Sequence, residues 1–169
     1  MIGDKIEYTI DNFSGLIDIE EYKEYEDNNN KHHTTDKRRK KSWIDLRSSG
    51  VYIFYNDNKE IVYIGKTINC LKQRIHYHIV NSINQYVINT GDYEENFRLY
   101  KRNKYKYMSY IKVDKGDTHF VESYLINKNN PLFNKEFNSR FKYPEEFIEK
   151  MSVFNERRLN LLQEVYNSL

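Results

Sequence analysis

Apolar and polar positions change period several times along this chain, and each change marks an element. Between residues 50 and 67 the sequence GVYIFYNDNKEIVYIGKT sets two runs of β-branched and aromatic residues around the polar tetrad NDNK. This pattern predicts a β-hairpin with strands at 51–55 and 60–65. A turn centred on Asp57-Asn58 places Tyr52 opposite Tyr63 and Phe54 opposite Ile61. Those four side chains then share one face, while Val51, Ile53, Val62 and Ile64 line the other. The period next lengthens. Leu71, Ile75, Ile79 and Ile83 predict a helix over 70–83, with Asn69 as its N-cap. Arg74 and His78, four residues apart, stack on one side of it.

Farther on, YKYMSYIKV at 105–113 predicts a third strand. The DKGD turn follows, and Asp117 or Thr118 caps a second helix over 118–128. Val121, Leu125 and the pair Tyr124/Ile126 can pack there, with Glu122 amid the apolar positions. Pro131 ends that helix. Pro144 opens a C-terminal helical segment in which Leu161, Leu162, Val165 and Leu169 suggest a packed face. Upstream, FSGLIDIEEYKEYED predicts a short helix with Leu16, Ile19 and Tyr22 or Tyr25 on one side. Residues 28–41, NNNKHHTTDKRRKK, are polar and basic and read as a linker. Trp43, Ile44 and Leu46 are expected to pack on the main domain. Residues 85–104 are polar and show no clear period. The order predicts an α+β fold, a three-stranded antiparallel sheet flanked by helices. It has an N-terminal extension with basic linker (1–48), a core (49–138) and a C-terminal helical segment (139–169).

The 169 residues suffice for one domain with a sizeable core. With 31% charged residues and no run of about 18 apolar ones, no membrane span is expected. The acidic start carries no apolar leader. The single cysteine, Cys70, cannot form an internal disulfide. A cytoplasmic protein, bacterial or phage-encoded, is the expectation. Net charge is +2 but uneven. Residues 1–30 hold nine acids and two lysines, and residues 31–49 hold seven bases and two acids. That asymmetry points to a polyanionic partner for the basic parts. Arg38 and Arg39 lie in the basic run. The stretch 97–110 interleaves Arg98, Lys101, Arg102 and Lys104 with aromatics, as phosphate contacts with base stacking would. A strand with one solvated face explains that stretch equally well.

In a chain with sixteen tyrosines, a tyrosine pair in a hairpin is ordinary by itself. Its surroundings are not. Gly50-Val51-Tyr52, then Tyr63-Ile64-Gly65 followed by Lys66-Thr67, then Arg74 and His78, then Glu122 in VESYLINKNNPLFN, then Asn134 after a proline, resemble the GIY-YIG nuclease family over roughly residues 49–138. Valine stands where the family's first half has isoleucine. The resemblance implies a nuclease fold and phosphodiester hydrolysis dependent on one divalent metal, Mg²⁺ or Mn²⁺, held by Glu122. Arg74 would clamp the scissile phosphate, since its planar fork matches phosphate oxygens. Tyr52 is the family's favoured general base and His78 a relay for its proton, with Tyr63 orienting water or phosphate. The division of labour between the tyrosines stays open. Lys66 joins the basic residues as a DNA contact, and Gly65 and Asn134 are structural. A phenol ordinarily ionises near pH 10, about 4 kcal/mol from neutrality, so a base there needs a lowered pKa or concerted proton transfer. Arg74, Lys66 and the metal are expected to favour the phenolate.

The implied partner is double-stranded DNA, cut by a restriction-type enzyme acting as a homodimer. Homing-type and structure-selective nucleases, and a catalytically inactive DNA-binding module, are the alternatives. His32-His33 and the His76/His78 pair raise zinc, but a ligand quartet is lacking. Cys70, at a helix start, is a small, partly buried residue or a reactive thiol.

Overall fold

The hairpin forms where its pattern predicts, but its strands are offset from the predicted register by two positions. The computed structural model describes residues 9–31, 47–80, 87–88 and 90–168, without the side chains of 27–31 and 80. Its elements are a 3₁₀ turn (Ile10–Asn12), β1 (Ile17–Asp18), α1 (Ile19–Lys31), β2 (Gly50–Tyr55), β3 (Ile61–Thr67), α2 (Leu71–Val80), α3 (Tyr93–Asn103), β4 (Tyr107–Lys112), α4 (Thr118–Asn129) and α5 (Glu145–Asn167).

Two local features shift the hairpin. Asn56 accepts with its carbonyl from Lys59 N–H at 3.0 Å, and Asn56 N–H donates to the Glu60 carbonyl at 3.1 Å. Lys59 closes this turn in the left-handed region at φ 62°, adding one residue to a two-residue loop. The Asn56 carboxamide oxygen accepts from Asn58 N–H at 3.0 Å and Glu60 N–H at 2.9 Å, which explains an asparagine there. A second irregularity falls between Phe54 and Tyr55. Together they pair Tyr52 with Gly65 and Phe54 with Tyr63, not Tyr52 with Tyr63. Two one-residue slips restore parity, so Tyr52 and Tyr63 still share a face. Ile61 does not. It pairs with Tyr55 and packs on the opposite side, against the cluster of Val51, Ile53 and Ile64.

The antiparallel sheet has four strands in the order β1-β4-β2-β3, one more than expected. The addition is β1, whose Ile17 and Asp18 pair with Met108 and Tyr107. Leu16 therefore lies outside any helix and is exposed, while Ile19 and Tyr22 of α1 are buried. α1 continues to Lys31, into the stretch expected to be linker. Arg38, Arg39, His32, His33, Trp43, Ile44, Leu46, Ile83 and Leu169 lie outside the described residues. Every residue of the central strand β2 is buried. α4 covers one face through Val121, Leu125 and Ile126. On α2, Leu71, Ile75 and Ile79 are buried, and the helix packs on β2 and β3. Its first intrahelical bond runs from Arg74 N–H to the Cys70 carbonyl, so Cys70 rather than Asn69 holds the cap position. Asp117 is the residue before α4, and Asn130 ends it in the left-handed region at φ 47°, ahead of Pro131.

The described residues divide into two compact units. The first holds the sheet, α1, α2 and α4. The second holds α3, α5 and their flanks, and has its own aromatic core of Phe97, Tyr100, Tyr143 and Phe147. The stretch 97–110, open between a phosphate-contacting segment and a strand, runs from the end of α3 through a short connection into β4. Of α5, Phe147 and Met151 are buried. Leu161, Leu162 and Val165, expected to pack, are each more than half exposed.

The outer edge of β3 is closed by the segment after Pro131. Phe133 N–H donates to the Val62 carbonyl at 2.8 Å. The buried Asn134 side chain accepts from Ile64 N–H and donates to Ile64 carbonyl, both at 2.8 Å. One carboxamide thus satisfies both backbone groups of an edge residue, as a neighbouring strand would. Truncating it leaves that pair unsatisfied in a buried place. Asn134→Ala is expected to lose about 2–3 kcal/mol of stability, read as a lowered urea midpoint with unchanged slope. A loss under about 0.5 kcal/mol would contradict this structural role.

Candidate active site

Two glycines shape the site by the space they leave open. Gly65 stands across from Tyr52. A Cβ on Gly65 would run into the Tyr52 ring and hydroxyl, well inside van der Waals contact. The phenol therefore lies over a bare Cα, and only glycine leaves that space. Gly50 plays a similar part lower down, where a Cβ would meet the Ile111 carbonyl and the Leu71 side chain. Neither glycine has a positive φ, so close approach rather than turn geometry requires them.

Laid over Gly65, the fully buried Tyr52 ring carries its hydroxyl to His78 Nε2, 3.0 Å away on α2. The rings of Tyr52, Phe54 and Tyr63 lie 5.6–5.7 Å from His78. Tyr105 stacks on Phe54 at 4.3 Å, with 12° between the planes. The tyrosine pair itself is 6.3 Å apart, centroid to centroid. Arg74, one helical turn before His78, lies within electrostatic and hydrogen-bonding reach of the Tyr52 hydroxyl and rests 5.9 Å from the Tyr77 ring. From the other side of edge strand β3, α4 contributes Glu122. Lys66 Nζ lies 3.4 Å from Glu122 Oε2. Tyr52 and Tyr63 both feel the charge of Glu122. A site drawn from both faces of a sheet is possible only at an edge, and β3 is that edge.

The structure thus brings together Tyr52, Tyr63, Arg74, His78 and Glu122, with Lys66 beside them. The other basic residues divide. Arg98, Lys101 and Arg102 lie on α3 in the second unit, where Arg102 is only 5% exposed; Lys104 belongs to the first. Three groups at the site escaped sequence reasoning. His119 is three residues before Glu122, a spacing that puts both on one helix face. Tyr105 joins through the β4–β2 pairing, which local pattern does not reveal. Glu136, whose charge reaches Glu122 and Tyr63, follows Asn134 in an irregular segment. Among the described residues, no three His, Cys, Asp or Glu side chains cluster as a closed metal site would require.

Electrostatics run against one expectation. Burial pushes the Tyr52 phenol well above its ordinary value of 10.0; neighbouring Tyr63 adds to the rise, and Arg74 offsets only part of it. Tyr63 is raised too, by burial first, against Arg74. The protein's own cations therefore do not create a phenolate. Glu122 is also raised, by burial, with Lys66 opposing.

A family model of the GIY-YIG catalytic domain matches residues 48–138. The chain belongs to the GIY-YIG family of endonuclease domains. It is 28% identical over 109 residues to the UvrABC system protein C of Dictyoglomus thermophilum, covering 64% of this chain but 16% of that protein. Solved structures include the GIY-YIG N-terminal endonuclease domain of UvrC from Thermotoga maritima bound to magnesium, 28% identical, covering 60% of this chain and 99% of that one, with a TM-score of 0.39. A point mutant of the same domain gives 25% identity, 60% and 98% coverage, and a TM-score of 0.40. Among the described residues, no helix is long and apolar enough to cross a membrane.

Both phenols bind their proton more tightly folded than unfolded. Their contribution to stability is complete below pH 10 and falls as pH rises above it, because the unfolded chain then releases protons that the folded one retains. Burial raises Tyr22 and Tyr55 as well, so ultraviolet difference titration is expected to show that the phenols removed by Tyr52→Phe and Tyr63→Phe are among those that ionise only with unfolding. Their ionisation near pH 10 in the folded protein, absent in the Tyr52→Phe and Tyr63→Phe variants, would contradict the burial described.

Proposed function

We propose that this protein is a divalent-metal-dependent DNA endonuclease. The observation that carries this reading is the 3.0 Å contact between the hydroxyl of the fully buried Tyr52 and Nε2 of the part-buried His78, with Arg74 and Glu122 near enough to act on the phenol. A solvated tyrosine pair would have no use for such a relay.

Glu122 fits a cation. Its side chain is 15% exposed and its only ion-pair partner among the described residues is Lys66 at 3.4 Å. A desolvated carboxylate so lightly compensated favours further positive charge. Mg²⁺ or Mn²⁺ would be held there by one carboxylate, with water and phosphate oxygens filling the remaining positions. When bound, the metal supplies Lewis-acid stabilisation of the leaving 3′ oxygen. Arg74 binds and orients the scissile phosphate. Tyr63, the less buried of the two phenols, orients the attacking water. Tyr52 is protonated at rest, so it accepts the water proton only as it yields its own to His78 Nε2. The proton ends on the imidazole, whose ordinary pKa lies near neutrality. The route avoids the cost of a free phenolate.

We infer further that the enzyme is restriction-type. α3, inserted between α2 and β4, belongs with α5 to a second unit that carries the exposed Arg98. Such a unit suits sequence recognition, and two copies of the chain would cut both strands. The chain spans 16% of its curated relative's length. A structure-selective role is the alternative. The lone thiol, Cys70, fits the reducing cytoplasm in which such an enzyme meets DNA.

Incubation of supercoiled plasmid with protein and Mg²⁺ is expected to give linear product, and chelation to abolish it. Glu122→Gln is expected to slow cleavage at least about a hundredfold, with sedimentation showing paired copies. Wild-type rates from Glu122→Gln would remove the metal assignment. Folded wild-type protein that leaves all DNA uncut would remove the endonuclease reading.

A further inference from the structure

We propose that His119 is a positioning residue that holds the Lys66 ammonium at the site independently of Glu122. Lys66 Nζ lies 2.6 Å from His119 Nδ1 and 3.4 Å from Glu122 Oε2. The histidine is thus its nearer partner. An ammonium has protons to give and no lone pair to offer, so Nδ1 accepts and the ring proton sits on Nε2. His119 and Glu122, three apart on α4, reach the same nitrogen from one helix face.

The ring has a second neighbour. Phe137 meets it edge to face, with centroids 5.4 Å apart. Phe137 holds φ at 58°, a left-handed conformation that bulky residues rarely adopt. The next residue anchors it: the buried Asn138 carboxamide donates to the Pro131 carbonyl at 2.8 Å and the Asn134 carbonyl at 3.1 Å. The segment that closes the β3 edge therefore also sets the imidazole against Lys66.

The consequence concerns what happens when Glu122 is engaged elsewhere. A lysine held by that carboxylate alone loses its partner as soon as a cation takes the charge. A neutral acceptor on the same helix keeps Lys66 in place for a phosphate oxygen. This consequence for cleavage rests on the endonuclease reading; the placement of Lys66 does not.

The test is hydrogen exchange at lysine Nζ in [¹⁵N]lysine-labelled protein, free of metal and DNA. The Lys66 signal is identified by its absence in Lys66→Arg. Its ammonium protons are expected to exchange more slowly than those of exposed lysines. Glu122→Gln is expected to leave this rate within about twofold, and His119→Ala to raise it about tenfold, the loss of one charge-assisted hydrogen bond. His119→Asn, whose Oδ1 can stand where Nδ1 stood, restores the slow exchange. His119→Gln, with its acceptor farther out, does not. Slow exchange that survives His119→Ala, or that is lost in Glu122→Gln, overturns the proposal. In single-turnover cleavage, His119→Ala is expected to slow the chemical step about tenfold with little change in DNA affinity, and His119→Asn to recover it. An uncut substrate with wild-type protein refutes the endonuclease reading, while the exchange rates still decide where Lys66 is held.

Discussion

The ring of Tyr52 lying over the bare Cα of Gly65 is the contact on which the site depends. It places a phenol flat against the hairpin, aims its hydroxyl at His78 and leaves room for Tyr63 alongside. Any side chain at position 65 would occupy the space of that phenol. Gly50 makes an equivalent allowance for α2, letting Leu71 close on the strand that carries Tyr52. The two glycines of the motif are thus packing requirements for the tyrosine and the helix that serve the chemistry.

Burial then decides how that chemistry can run. A phenol removed from water holds its proton, and one arginine nearby does not reverse this. Tyr52 can act as a base only if another group takes its proton in the same step, and His78 is within hydrogen-bond distance. Glu122 is desolvated in the same way, and its compensation by one lysine leaves a place for a cation. One cost, desolvation, thus raises both the carboxyl of Glu122 and the phenol of Tyr52, and the proposed metal and relay roles both start from it.

Much of this was legible in the sequence. The hairpin, α2, β4 and α4 follow from apolar period and turn residues, and the resemblance to the GIY-YIG family singled out Tyr52, Tyr63, Arg74, His78 and Glu122. The register was not. The left-handed Lys59 and the irregularity beside Phe54 each slip the strands by one residue, and neither has a sequence sign as strong as an Asn-Gly turn. Parity survived only because there were two slips. β1 is too short to show a period, and its pairing depends on distant Met108 and Tyr107. Leu161, Leu162 and Val165 have helical spacing, which tells of an apolar stripe but not of what covers it. His119 was within reach of the helical rule that linked Arg74 to His78. Tyr105 was not, because strand order brings it to Phe54.

The relay between Tyr52 and His78 is the central claim, and a double-mutant cycle in single-turnover DNA cleavage tests it most directly. Two groups that pass one proton act as a unit, so their losses do not multiply. Tyr52→Phe and His78→Ala are each expected to slow cleavage at least about a hundredfold, with the double variant no slower than the slower single. Losses that multiply, or wild-type cleavage by Tyr52→Phe, would contradict the relay.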